Sequence, residues 1–188
     1  MPAPDSDQPI FYFDLGSPEC YLAAETILAA LPVVPEWEPV HATAICDGVP
    51  EIDRAKIERR AAELELQPLR WPSEWPTDTH EASLAATYAK RVGRAVVFSL
   101  AAFRQEFAGG QDIGKQSTVL IAGAACEMHP TALLKGIGLR STTRALEQAN
   151  GRARAAGVRS LPAIEVRGTV FEGERAVERA AVALGSRR

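Results

Sequence analysis

Cysteine is scarce in this chain of 188 residues, and its pattern is irregular. Cys20, Cys46 and Cys126 are an odd number of cysteines without paired spacing. Small disulfide-stapled domains carry an even number of cysteines at close, regular spacings. We therefore expect no disulfide framework, and we expect packing of apolar residues to stabilise the fold.

Long apolar runs and a strong excess of one charge are also missing. No stretch approaches the roughly 18 to 20 apolar residues of a membrane span. The first ten residues, MPAPDSDQPI, lack the basic and apolar parts of a signal peptide. We therefore expect a cytoplasmic protein with no membrane association. The net charge of −3 gives no indication of a polyanionic partner, so nucleic acid binding is not expected.

The three histidines do not predict a metal centre. His41, His80 and His129 are scattered along the chain, without the ligand spacing of zinc sites and without neighbouring cysteines. We therefore expect no metal cofactor. Cys46 and Cys126 are interpreted as packing or surface residues.

The regular structure begins with a short apolar run. Residues 9–15, PIFYFDL, combine aromatic and β-branched residues over a length that is typical of a buried strand. The Ser-Pro-Glu triplet at 17–19 supplies an N-cap residue, a proline for the first helical position and an acid for the first turn. This triplet predicts a helix that runs to about Ala30, and a second strand is predicted over residues 36–40.

The middle of the chain, from Asp53 to Gly157, has helical periodicity interrupted by proline and glycine. The connection LRWPSEWP at residues 69–76 is predicted to be a loop, because a proline disfavours helical geometry in the residue before it. Separate helices are predicted in this region: one carrying Ile57, Ala61 and Leu64, one carrying Val96, Leu100, Phe103 and Phe107, and others over residues 80–91, 117–127, 130–136 and 141–156.

The last part of the chain returns to a strand pattern. Residues 163–166 and 169–171 flank a tight Arg-Gly turn and predict a hairpin. A final helix is predicted from about Glu174. Strands at both ends of the chain can share one sheet only if the middle folds aside, so we predict an α/β domain with a helical insertion.

Four segments together resemble the DsbA-like thioredoxin superfamily, in its branch of 2-hydroxychromene-2-carboxylate isomerases and kappa-class glutathione transferases. They are FYFDLGSPECYLAAE, RWPSEWPTDT, DIGKQSTVLIAGAACEMHPTALLKGI, and GVRSLPAIEVRG leading to FEGERAVERA. The resemblance implies a thioredoxin-like fold with a large all-helical insertion. The chain is then a single domain over residues 1–188, with the thioredoxin-like part at 9–41 and 157–184 and the insertion at about 52–156.

The resemblance assigns a role to the start of the first helix. Redox members carry Cys-x-x-Cys there, whereas this chain has Ser17, Pro18, Glu19 and Cys20. In the isomerase and kappa branch, the serine hydroxyl donates a hydrogen bond to the glutathione sulfur, so Ser17 is the implied catalytic residue and Pro18 lies beside the cofactor. A helix N-terminus with a hydroxyl donor also suits a small anion on physical grounds. The triplet is equally a good helix cap without any function, and both interpretations can hold together.

Two further pairs of residues are implied to hold the cofactor. The bond between Leu161 and Pro162 is cis in the superfamily, which leaves the main chain of Leu161 free to pair with the glutathione backbone. Local sequence alone favours a trans proline that opens an edge strand. Glu174 and Arg175 fall where kappa-class relatives bind the γ-glutamyl end.

The tryptophans of the Pro-rich loop are candidates for a substrate pocket. Trp71 and Trp75 could line an apolar pocket, although aromatic loop residues also commonly close the end of a core. Both interpretations stay open on the sequence.

The resulting functional prediction is an isomerase or transferase that depends on glutathione, or on another small thiol, and acts on an aromatic-derived small-molecule electrophile. Two alternatives remain: a DsbA-like thiol-disulfide oxidoreductase that uses Cys20 alone, and a noncatalytic small-molecule binding module. An exposed Cys20 with a lowered pKa favours the oxidoreductase, and a buried one argues against it. Relatives are often dimers, so the resemblance allows a homodimer.

Overall fold

The computed structural model describes residues 8–47 and 51–185, which form a four-stranded mixed sheet surrounded by helices. The strands are β1 (Ile10–Phe13), β2 (Glu36–Pro39), β3 (Ala163–Val166) and β4 (Thr169–Glu172), in the order β2-β1-β3-β4. β1 pairs parallel with β2 and antiparallel with β3, and β3 pairs antiparallel with β4. The predicted α/β, thioredoxin-like class is confirmed, because strands from both ends of the chain share the sheet.

The aromatic run of the first strand forms the centre of the core. Phe11 and Phe13 are fully buried, and both rings meet Trp37 of β2 nearly edge to face, with centroids 5.0 Å and 5.5 Å away. Such pairs add to the free energy gained from burying apolar area. The core therefore fixes β1 and β2 side by side, and with them the residues that follow each strand.

The helices agree with the predicted periods to within a few residues. Within the described residues they are α1 (Pro18–Ala30), α2 (Ala42–Ile45), α3 (Arg54–Glu63), α4 (His80–Arg91), α5 (Ala95–Phe107), α6 (Gln116–Ala125), α7 (Pro130–Ile137), α8 (Arg140–Ala156) and α9 (Ala176–Gly185). α2 was not predicted, because four residues are too few to display a helical period. α9 starts two residues after the predicted Glu174, which lies in the turn that follows Gly173 (φ +77°).

Helices pack against the strands of the sheet and against one another. α4 and α8 contact β2, α9 contacts β3 and β4, and α1 contacts α3, α5 and α9. Gly157 adopts the left-handed conformation (φ +93°) that ends α8, as its sequence position predicts. In the part of the chain that the structure describes, no helix is both long and apolar enough to cross a membrane.

Candidate functional site

A cleft with a volume of about 410 Å³ opens where β1 and β2 end. Its wall is formed by the segment after β1, the first turn of α1, the α2 region, the loop before α4, and Leu161 ahead of β3. The apolar part of this wall consists of Pro18, Ala42, Ile52, Trp75, Pro76 and Leu161. The polar part includes Ser17, so the helix start singled out in the sequence faces a cavity large enough for a small ligand.

Ser17 is both a helix cap and a residue of the cleft wall. It occupies the N-cap of α1, and its Oγ accepts a hydrogen bond from the main-chain N–H of Cys20 at 3.2 Å. A hydroxyl that accepts a hydrogen bond still has its own proton to donate. Pro18 follows at the first helical position, and the N–H of Glu19 in the first turn has no acceptor within the helix. This arrangement can stabilise a small anion in the cleft.

Cys20 lies on the inner side of the same turn. Its side chain is fully buried, and burial raises its pKa above the ordinary cysteine value, while the Ser17 hydroxyl, as a donor to the Cys20 sulfur, opposes this only in part. Reactive cysteines are accessible and have lowered pKa values. Cys20 has the opposite properties, so the structure argues against the prediction that it acts alone as a redox thiol.

Asp14 joins the segments that form the cleft. Its carboxylate is buried, and it accepts the N–H of Gly16 at 2.8 Å, the N–H of Ala42 at 2.6 Å and the hydroxyl of Thr79 at 3.1 Å. Charge-assisted bonds of this kind are among the stronger hydrogen bonds in proteins. Sequence reasoning missed Asp14, although an acidic residue directly after a buried strand is a recognisable feature.

The bond between Leu161 and Pro162 is cis, as the resemblance implies. Leu161 lines the cleft, whereas Pro162 is buried and its carbonyl accepts the N–H of Gly173 at 2.9 Å. The main chain of Leu161 partly offsets the rise in the pKa of the Cys46 thiol that is caused by burial. Cys46 was interpreted as a packing or surface residue. The structure instead places it, half-buried, in the cleft wall.

The two tryptophans of the Pro-rich loop have different positions. Trp75 lines the cleft and donates its indole N–H to the carbonyl of Gly16 at 3.2 Å. Trp71 packs edge-on against Trp75 and against Phe107, with ring centroids 5.2 Å and 6.0 Å away. The guanidinium of Arg54 lies over both indoles. One tryptophan of the predicted pair thus contributes to the cleft, and Trp71 supports it from behind.

Glu174 and Arg175 are not brought into the cleft wall. Glu174 instead forms an ion pair of 2.7 Å with Lys56 of α3, which lowers the pKa of Glu174 and raises that of Lys56. Both residues line a smaller cavity of about 190 Å³ between α1, α3 and α9. Glu19 lines both cavities, so the first turn of α1 separates Glu174 from the cleft. Arg175 is not among the described residues that line either cavity.

Two histidines that are distant in the sequence meet at the cleft. His41 lines it, and its ring contacts His80 edge to face, with centroids 5.7 Å apart. The spacing in the sequence gave no indication of this pair, because the fold brings the end of β2 beside the start of α4. Among the residues that the structure describes, no group of three or more histidines, cysteines or acids could hold a metal ion.

Comparison with known proteins identifies the same fold. The sequence model of the DSBA-like thioredoxin domain matches residues 10–185. The structure is similar to that of a 2-hydroxychromene-2-carboxylate isomerase, with a TM-score of 0.82, 15% sequence identity and coverage of 94% of both chains.

Disulfide-exchange proteins have related structures. The cytosolic disulfide reductase DsbM from Pseudomonas aeruginosa, solved with GSH, has a TM-score of 0.71 and 14% identity, covering 95% of this chain and 98% of that one. A DsbA variant from the same organism has a TM-score of 0.64 and 14% identity, covering 98% and 88%. No curated protein sequence matches the chain. At such identities the structural likeness establishes the fold alone.

Proposed function

Because this chain belongs to the DSBA-like thioredoxin domain family, we propose that its cleft binds a small thiol, glutathione in the first instance, and uses it to isomerise or conjugate an aromatic-derived electrophile. Members of this fold include an isomerase and disulfide oxidoreductases. The observation that carries the proposal is the hydroxyl of Ser17 at the start of α1, in a cleft that also contains Trp75 and the main chain of Leu161.

The Ser17 turn supports a bound thiolate. The oxygen of Ser17 accepts the N–H of Cys20, so its hydroxyl proton can be donated to a sulfur, and a bound thiolate competes for that proton with the buried Cys20 side chain. The Glu19 N–H and the positive end of the helix macrodipole act in the same direction. Hydrogen bonds and positive partial charge favour the ionised form of a thiol, whereas the carboxylates of Asp14, Glu19 and Asp78 in the same cleft favour the neutral form. The proposal requires the hydrogen bonds and the helix end to outweigh these carboxylates and lower the pKa of the bound thiol.

A thiolate in this position gives a balanced route to isomerisation. The sulfur adds to the β-carbon of a conjugated carbonyl, and the electron pair of the C=C bond moves to the carbonyl oxygen. The former double bond is now single and can rotate. Return of the electron pair re-forms C=C and breaks the C–S bond, and the sulfur leaves as the thiolate with which the cycle began. In a transferase reaction, the α-carbon instead takes up a proton. This prevents the return step, so the thiol adduct is the product.

The walls of the cleft suit the two ligands. The cis bond before Pro162 presents the main chain of Leu161, which can pair with a peptide-like backbone such as that of glutathione. Trp75 and Ile52 provide apolar surface for an aromatic ring.

A cytoplasmic location and a homodimer belong to the same proposal, and reduced thiols are abundant in the cytoplasm.

Calorimetric titration with glutathione tests the proposal on three reduced proteins: native, Ser17→Ala and Ser141→Ala. Ser141 is exposed at the start of α8 and is a matched serine control. Saturable binding that weakens roughly tenfold in Ser17→Ala and not in the control supports the thiol site, a loss of the size expected for one hydrogen bond to a charged group. Absence of binding to the native protein at millimolar glutathione contradicts it. Because loss of an N-cap costs about 1 kcal/mol of stability, thermal unfolding must show that the variant is folded.

A further inference from the structure

The position of His41 is fixed by contacts on three sides. Its main-chain N–H donates to the side-chain oxygen of Asn150 at 2.9 Å, and its Nδ1 lies 2.6 Å from the hydroxyl of Thr43. The edge of its ring meets His80. His41 also lines the cleft, so its ring is held at the cleft wall. In the tautomer in which Nδ1–H donates to the Thr43 hydroxyl, Nε2 carries no proton and is the ring nitrogen that can accept one from a ligand.

One buried carboxylate couples His41 to Ser17. Asp14 accepts the N–H of Gly16, which precedes Ser17, and the N–H of Ala42, which follows His41. The two segments therefore cannot shift independently without breaking a charge-assisted hydrogen bond. Ser17 and His41 line the same cleft and are held in one frame.

Several charged or titratable groups line the same cleft as His41 or contact its ring. Asp14 follows β1, Glu19 lies on α1, Cys46 follows α2, and Asp78 and His80 lie at the start of α4. The three carboxylates favour a positive charge in the cleft, while a protonated His80 opposes it. Histidine is the side chain that most readily exchanges a proton near neutral pH.

We propose that His41 is the proton-transfer residue of the thiol-dependent reaction, an inference that rests on the proposed function. Nε2 takes the proton of the bound thiol, leaving the thiolate beside Ser17. After the sulfur has added to the electrophile, the imidazolium donates this proton to the oxygen that has received the electron pair. The proton returns to Nε2 when C=C re-forms and the thiolate leaves. In this cycle no proton, electron or atom is consumed.

The first test counts protons and requires no turnover. Glutathione is titrated calorimetrically in two buffers of different ionisation enthalpy, and thiolate formation is followed by ultraviolet absorption. The native protein is expected to form bound thiolate while releasing little proton to the buffer. His41→Asn keeps a side-chain partner for Thr43 but has no group at the Nε2 position, so it should bind glutathione with a similar Kd and either leave the thiol protonated or release close to one additional proton.

The second test uses catalysis of cis-to-trans isomerisation of a neutral aryl enone with glutathione. His41→Asn and His41→Gln should lower kcat by roughly 100-fold or more, the usual range for loss of a general acid–base, with KM for glutathione changed less than about twofold. They should also lose one limb of the pH–rate profile. His129→Gln is the matched control, because that histidine caps α7, outside the cleft wall.

The outcomes distinguish failure of the role of His41 from failure of the proposed thiol-dependent function. If His41→Asn keeps the proton count, the thiolate absorption and the kcat of the native protein, the role of His41 is overturned while the thiol site stays intact. Weaker glutathione binding in His41→Asn with unchanged kcat makes His41 a binding residue and also overturns the inference. Failure of the native protein to bind glutathione overturns the proposed function, and the role of His41 falls with it.

Discussion

The carboxylate of Asp14 accepts the main-chain N–H of Ala42 at 2.6 Å, so the segment after β1 is fastened to the segment after β2 by one buried acid. The same side chain holds Gly16 and Thr79. Four consequences of the arrangement around this cleft can be measured.

Asp14→Asn should loosen the cleft. An amide has one acceptor oxygen in place of two and adds two N–H donors, so at least one partner of Asp14 loses its bond. Leaving a buried donor unsatisfied costs about 1 to 3 kcal/mol. Urea unfolding should show a loss in that range, together with weaker glutathione binding. Asp53→Asn is the control, since Asp53 caps α3 and asparagine caps helices as well. A native unfolding midpoint in Asp14→Asn contradicts the structural role.

Ser17→Cys should restore a redox dithiol. The new thiol would occupy the N-cap, one turn from Cys20, where the helix N-terminus stabilises a thiolate. We expect mild oxidation to join the two cysteines, with the loss of two hydrogens detected by mass spectrometry, and we expect the variant to catalyse insulin reduction by dithiothreitol. The native protein should be inactive in that assay. Ser141→Cys is the control and should form no disulfide with Cys20. Activity of the native protein in the insulin assay would mean that its own cysteines are redox-active.

Local patterns predicted those features that depend on neighbours in the chain. The Ser-Pro-Glu triplet predicted the N-cap and start of α1, because capping is decided within one turn. Residues 163–166 and the turn after them predicted β3 and its hairpin with β4 for a similar reason.

The composition of the cleft depends on contacts between distant segments, and sequence patterns do not contain them. Asp14 and Ala42 are 28 positions apart, and His41 meets His80 although α2 and α3 lie between them in the chain. Cys46 follows α2, which is too short to produce a recognisable helical period in the sequence. Glu174 was assigned to the cofactor by its place in a motif, but its partner is Lys56 on α3, which the sequence did not connect to it.

Trp75 and Trp71 should respond differently to substitution. Trp75 contributes its ring to the cleft, and Trp71 contacts Trp75 and Phe107 behind it. Trp75→Ala should weaken the binding of an aromatic ligand by roughly tenfold, because a buried aromatic contact is worth about 1 kcal/mol beyond its area. Trp71→Phe, which keeps an aromatic ring, should leave the affinity within about twofold. Equilibrium dialysis with an aryl enone measures both, and equal losses would place Trp71 in the binding surface.

Glu106 should make stability depend on pH. This glutamate of α5 is fully buried, and burial raises its pKa from 4.5 to about 7. The N–H of Ile113 at 2.7 Å and the hydroxyl of Thr77 at 2.8 Å donate to the carboxylate and oppose the rise only in part. Between pH 4.5 and about 7, Glu106 is therefore protonated in the folded state and ionised in the unfolded state. The contribution of Glu106 to stability is fully present below pH 4.5 and is lost as the pH rises to about 7.

The sign of this effect distinguishes Glu106 from an ordinary paired carboxylate, whose contribution is lost as pH falls. Over the whole interval the change is about 3 kcal/mol at most, since one pKa unit corresponds to about 1.4 kcal/mol. Glu106→Gln keeps the shape and cannot titrate, so native and variant should differ in the slope of urea midpoint against pH between about 4.5 and 7. Glu127→Gln, at an exposed position, should keep the native slope. Parallel slopes for native and Glu106→Gln would mean that Glu106 is ionised throughout. Thr77 also lines the cleft. Ligand affinity measured over the same pH range therefore shows whether protonation of Glu106 affects binding in the cleft.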